Sequence, residues 1–262
     1  MPNKPTAILL TLICLATLLW FFHEPNTGCN VAYLKLHGDV VTYIPVTDST
    51  TTSSNPVDET ASEDITKQIR DANRDSHIKA IVLEIDSPGG SPVGGEEMEL
   101  ALKRSQKSTV ALIRSQGDSA AYEVATGANV IFASAESEVG DIGITQSYID
   151  NTKKDNQDGL TFHQLSIGKY KDMLDPDKPL TPAEKDLIMS QLQVGYDRFV
   201  EMVADGRHMS TTTALKLADG SEVIGQTALA EGLIDKIGNV DDVRDYLTQK
   251  LKTPAVICSI DQ

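Results

Sequence analysis

Residues 78–90 read Ile-Lys-Ala-Ile-Val-Leu-Glu-Ile-Asp-Ser-Pro-Gly-Gly. The run from Ile78 to Ile85 is apolar and rich in β-branched residues, the pattern of a strand covered on both faces. Asp86-Ser87-Pro88-Gly89-Gly90 are turn-forming residues, so a tight loop is expected at the C-terminal end of that strand. In open α/β sheets ligands collect at such strand ends. Gly89 and Gly90 leave backbone N–H groups unobstructed, which suits an oxyanion hole or a clamp on an extended peptide. A plain tight turn is the competing reading.

Working outward, helix and strand signals alternate on both sides. Toward the N-terminus, 31–36 reads as a strand with 40–46 as its hairpin partner. Ser62 stands ready to cap a helix carrying Ile65, Ile69 and Ala72 on one face. Between them 48–59, Ser/Thr-rich and interrupted by Asn55-Pro56, is expected to be an exposed flexible loop. Toward the C-terminus the pattern gives a helix at about 96–107, a strand at 109–113, a short helix at 119–128 and a strand at 130–133. Further strands are expected at 139–144 and 162–167. Thr181-Pro182-Ala183-Glu184 is a capping box with proline at the first helical position, opening a helix that ends at Gly206. Shorter helices follow at 212–218, 226–231 and 240–251. The whole is an α/β domain with a largely parallel sheet and flanking helices over 30–252, followed by a C-terminal strand or tail at 253–262.

The 262-residue chain carries a formal net charge of −15, which repels phosphate backbones and argues against nucleic acid as a partner. Its five histidines are scattered and its three cysteines lack zinc-site spacing, so neither a metal nor a cofactor is expected. Cys29 and Cys258 either pair, which requires an oxidising compartment, or remain thiols. Cys14 lies in an uncharged apolar run at 7–22 that covers about 24 Å as a helix, against a hydrocarbon core of about 30 Å. Lys4 precedes this run and Glu24 follows it. A single transmembrane anchor is therefore expected, with 1–6 cytoplasmic and the rest of the chain extracytoplasmic. A cleaved signal peptide is the alternative, although no small-x-small site follows Phe22.

Two further residues have chemical potential. Ser119 lies where a strand gives way to a helix, whose N-terminus supplies N–H donors and partial positive charge to an oxyanion. The commoner role there is an N-cap. Lys171, in Gly168-Lys169-Tyr170-Lys171-Asp172, is either a solvated charge or a base whose pKa is lowered from about 10.4.

Taken together, these segments resemble the signal peptide peptidase A family, membrane-anchored Ser-Lys peptidases of the ClpP/crotonase fold. The resemblance runs through Ile85 to Gly90, Ser119-Ala120-Ala121-Tyr122, Gly140-Asp141-Ile142-Gly143-Ile144, the 168–172 motif, the capping box, and Ala230-Glu231-Gly232-Leu233-Ile234-Asp235. It implies Ser119 as nucleophile and Lys171 as general base. The N–H groups of Gly90 and Ala120 would form the oxyanion hole, with Gly89 shaping the loop. Peptide substrates, signal peptides or other short hydrophobic segments, would lie along a sheet edge, and the chain would assemble into a homo-oligomeric ring or dome. Two positions depart from the family pattern. Ala120-Ala121 replace a Gly-Gly pair, which keeps the N–H donors. Asp141 stands where serine is usual beside the base, and a carboxylate there favours the ammonium form of Lys171. A weakly active or inactive relative serving as a membrane-tethered assembly or binding subunit is the alternative function. A Ser-His-Asp triad is disfavoured, because the next histidine after Ser119 is His163.

Overall fold

The computed structural model describes residues 28–45 and 58–259. The apolar run at 7–22 and most of the expected loop at 48–59 lie outside the described residues. No helix among the described residues is long and apolar enough to cross a membrane.

Three long strands, β1 (Val31–Val41), β3 (Ala80–Gly90) and β4 (Ser108–Asp118), form the centre of a mostly parallel sheet. It extends through β2 (Glu59–Ala61) on one side and through β5 (Val130–Ala133) and β8 (Lys236–Ile237) on the other, in the order β2-β1-β3-β4-β5-β8. Off this path, β9 (Ile257–Ser259) pairs with the start of β1, and β6 (Glu138–Gly140) pairs in parallel with the end of β4. The pairing of β6 with β7 (Glu222–Ile224) is antiparallel. Strands that continue parallel need crossovers, and helices supply them.

Side-chain alternation along β3 accounts for the layers. Ile81, Leu83 and Ile85 point into one core with Ile65 and Ile69 of α1 (Ser62–Arg74), Met98 and Leu102 of α2 (Pro92–Lys103) and Tyr122 of α3 (Ala120–Thr126). Ala80 and Val82 point the other way, with Val110, Leu112 and Phe132, onto Val243 and Leu247 of α8 (Val240–Leu251). Each fully buried Leu or Ile in such a layer contributes about 1.5–3 kcal/mol. On the second face Glu84 is buried at the end of the apolar row. Its carboxylate accepts from Tyr33 Oη at 2.5 Å, Arg114 Nη1 at 2.5 Å and His37 Nε2 at 2.9 Å. These partners hold it below the usual carboxylate range against the opposing effect of burial.

Several sequence expectations need correction. No hairpin forms over the described part of 31–46; β1 runs on through a bulge at His37–Asp39 and stays parallel to β2 and β3. Gly38, at φ +65°, makes the bulge possible, because a Cβ there would collide with the carbonyl oxygen of Asp58. Ser87 to Gly90 do not turn. They extend β3, with Gly89 opposite Asp39 and Gly90 opposite Val40. The helix expected at 96–107 starts earlier, at Pro92, where the Ser91 hydroxyl accepts from Gly94 N–H. Ser62 is the first helical residue of α1 rather than its cap, and its hydroxyl contacts Thr42 and Glu97. No strand forms at 162–167, where Leu165 and Ile167 are 99% and 100% exposed. By contrast α5 (Pro182–Gly206) has the expected bounds and the full reciprocal capping box of Thr181 and Glu184.

Cys29, two residues before β1, and Cys258 in β9 form a disulfide that ties the start of the described domain to its end, with Cα atoms 5.9 Å apart. Cross-links closing long loops typically stabilise by about 2–4 kcal/mol. Cys258→Ser, or reduction, is expected to lower Tm by roughly 5–15 °C, measured by differential scanning calorimetry. An unchanged Tm would show that the bridge carries no stability.

Candidate active site

The end of β4 and the start of α3 meet at Ser119, whose backbone sits at φ 52°, ψ −125°. A non-glycine residue at positive φ costs on the order of 1–3 kcal/mol and persists only where its surroundings enforce it. The enforcing contacts are visible. Ser119 N–H donates to Gly140 O at 2.9 Å, and Ser119 O accepts from Glu123 N–H at 3.0 Å in the first turn of α3. The Ser119 side chain makes no capping bond to the helix. It lines a cleft and is left available for chemistry.

Across the cleft the end of β3 comes very close. A Cβ on Gly89 (φ +102°) would lie 2.8 Å from Ser119 Cβ, 2.8 Å from Asp118 O and 3.0 Å from Ala120 N. On Gly90 (φ +142°) it would collide with Val40 O. Only glycine fits either position, and the structure places Gly89, Gly90, Ser119 and Ala120 side by side. Two cavities open beside the serine. The smaller, of about 140 Å³, is walled by Pro92, Val93, Glu96, Glu123, Ile144, Arg198 and Phe199. The larger, of about 530 Å³, runs past Asp141, Ile142, Gly143 and Thr145 to Tyr196 and Asp219.

Asp141 therefore lies in the serine's own cleft, at φ 47°, its N–H bonded to Ser221 O at 3.1 Å; burial raises its pKa. Lys171 lies elsewhere. It sits in an exposed turn closed by its N–H to Gly168 O at 3.2 Å, and it lines neither cavity. The turn belongs to residues 145–181, whose regular structure is α4 (Thr152–Gln157) and whose side chains are mostly solvent-facing.

Sequence reading missed two carboxyls near the serine. Asp118 is 3% exposed, and burial, then Glu222, Asp141 and Glu138, push its carboxyl up to about 7. Glu123 is 6% exposed at the wall of the smaller cavity; burial, then Glu96 and Glu99, push it up to about 8, with Arg198 opposing. The Gly-Asp-Ser-Ala-Ala-Tyr-Glu string carries both, but burial was not legible from it. For Glu123 the linkage has one sign. Between its ordinary value of 4.5 and about 8 the folded chain holds a proton that the unfolded chain lacks, so stability falls as pH rises through that window. Glu123→Gln is expected to leave Tm unchanged near pH 4 and to raise it progressively up to pH 9, read by thermal melts across pH. A uniform offset at every pH would refute this.

A serine held at positive φ at a helix N-terminus, facing a Gly-Gly strand end in a parallel-sheet domain, defines a hydrolase-type site on a ClpP-like fold. A point mutant of ClpP1 from Listeria monocytogenes shares that fold, with a TM-score of 0.51 at 14% identity over 80% of this chain and 92% of that one. Residues 101–253 match the model of peptidase family S49, and the chain belongs to that family. Its relatives include a candidate protease of Methanocaldococcus jannaschii, 33% identical over 184 residues, 68% of this chain and 58% of that one. A candidate signal peptide peptidase SppA of Enterococcus faecium is 31% identical over 188 residues, 71% and 55% of the two chains. Protease 4 of Salmonella typhi is 31% identical over 222 residues, 83% and 34%. The chain thus spans less than two thirds of the length of these relatives.

Proposed function

We propose that this chain is a membrane-anchored, homo-oligomeric serine endopeptidase using a Ser119–Lys171 dyad on signal peptides or other short hydrophobic or unfolded segments. The backbone conformation of Ser119 carries the reading: it costs energy, and it frees the hydroxyl from helix capping. Ser119 Oγ attacks the scissile carbonyl carbon and passes its proton to neutral Lys171 Nζ. The resulting oxyanion is stabilised by the N–H groups of Gly90 and Ala120. As the C–N bond breaks, the lysine returns the proton to the leaving amine, and water then hydrolyses the acyl-serine by the same route.

Lys171 has to reach the cleft and lose water for this to work. The residues around it support an assembly that supplies both. Tyr148, Ile149, Leu160, Leu165 and Ile167 are 47%, 73%, 60%, 99% and 100% exposed on a single chain. Apolar exposure on that scale marks a contact surface. Packing 145–181 against a second copy would bury these side chains and exclude water from the lysine. The anchor rests on the 7–22 run, and the Cys29–Cys258 bridge suits an extracytoplasmic domain.

With a fluorogenic hydrophobic peptide, Ser119→Ala and Lys171→Met are each expected to lower kcat by at least about 10³-fold at unchanged Tm. Cleavage surviving in Ser119→Ala would remove the nucleophile from this scheme. Leu165→Asp with Ile167→Asp is expected to convert the oligomer to monomer in light scattering and to abolish cleavage together with it. A fully active monomer would refute the assembly. A second reading, an inactive binding subunit, is favoured by Asp141 in the cleft, where a carboxylate beside an incoming lysine holds it protonated; wild-type turnover equal to that of Ser119→Ala would establish it.

A further inference from the structure

The pairing of β4, β6 and β7 brings three carboxylates to one face. Asp118 lies opposite Gly140, and Gly140 opposite Glu222, while Glu138 lies two residues from Gly140 and so points to the same side. Gly140 has no side chain to stand between them. Carboxylate oxygens of Asp118, Glu138 and Glu222 all lie within 4.8 Å of one another. The three differ in setting. Glu138 and Glu222 are exposed, whereas Asp118 is 3% exposed and its Oδ1 is buried without a hydrogen-bond partner. A buried acceptor left unsatisfied costs about 1–3 kcal/mol, more when charged. The groups acting on Asp118 are Glu222, Asp141 and Glu138, all of its own sign.

We propose that Asp118, Glu138 and Glu222 bind a hard divalent cation of the calcium class. The donors are all carboxylate oxygens, which excludes a preference for soft metals. Calcium–oxygen bonds of about 2.3–2.6 Å allow ligands across the ion to stand roughly 5 Å apart, so the observed spacing accepts calcium without backbone movement. Magnesium, at about 2.0–2.1 Å, demands near-ideal octahedral geometry and gives up its water reluctantly, which disfavours it at a site completed by two exposed glutamates. Asp118 ligates from the protein side and the two glutamates from the solvent side, where water completes the shell. The ion ties the end of β4 to β6, whose Gly140 O holds the Ser119 N–H. It therefore braces the serine's backbone without touching the reacting atoms.

The test uses the full-length chain stripped with EDTA and titrated with Ca²⁺ by isothermal calorimetry, alongside thermal melts. Saturable binding with a Kd of roughly 10⁻⁴–10⁻³ M and a rise in Tm of about 5 °C is expected, with Mg²⁺ at least tenfold weaker. Glu222→Gln, a substitution at an exposed position, and Asp118→Asn are each expected to weaken Ca²⁺ at least tenfold. The proposal is overturned by the absence of heat and of a Tm shift at about 10 mM Ca²⁺, or by binding that both variants retain in full. Neither readout involves peptide cleavage, so the outcome is independent of the proposed dyad.

Discussion

At Gly89 two backbone segments approach until only a hydrogen atom fits between them. The end of β3 presses against Asp118 O, Ser119 Cβ and Ala120 N, and the serine adopts φ 52° at that contact. The rest of the active region depends on this crowding. It is set by the sheet rather than by any loop, since Gly89 and Gly90 are in register with Asp39 and Val40 of β1 while β4 lies on the other side of β3. The cleft and its Gly89, Gly90, Ser119 and Ala120 are thus positioned by the same hydrogen-bond ladder that holds the core.

Much of this was readable in the amino-acid order because the signals are local. The buried run at 78–85, the Thr181–Glu184 box and the Ser-Ala-Ala-Tyr start of α3 each act within a few residues. Ser87 to Gly90 were misread as a turn because Pro and Gly favour turns in isolation; pairing with β1 overrides that preference. β7 and β9 have three residues each, too few to show a period. The stretch 162–167 has the apolar pattern of a strand, yet its Leu165 and Ile167 are exposed and no strand among the described residues pairs with it.

The site was legible in the same uneven way. Gly89, Gly90, Ser119 and Ala120 converge through adjacent strands. Lys171 lies on an exposed segment away from the cleft, and what that segment packs against is encoded by no single sequence pattern. The carboxylates at positions 118, 138 and 222 carry no motif at all. Tertiary pairing of three strands makes them neighbours, and burial of one of them gives the cluster its character.

The bond between Cys29 and Cys258 converts almost the whole folded domain into a covalent ring. The exposed segment at 145–181 is where a protease would reach the chain first. Inside a ring a single cut leaves both fragments attached, and the parallel strands that flank Ser119 keep their neighbours. A cut there nicks the molecule without dismantling it, so the fold tolerates damage that would scatter an open chain.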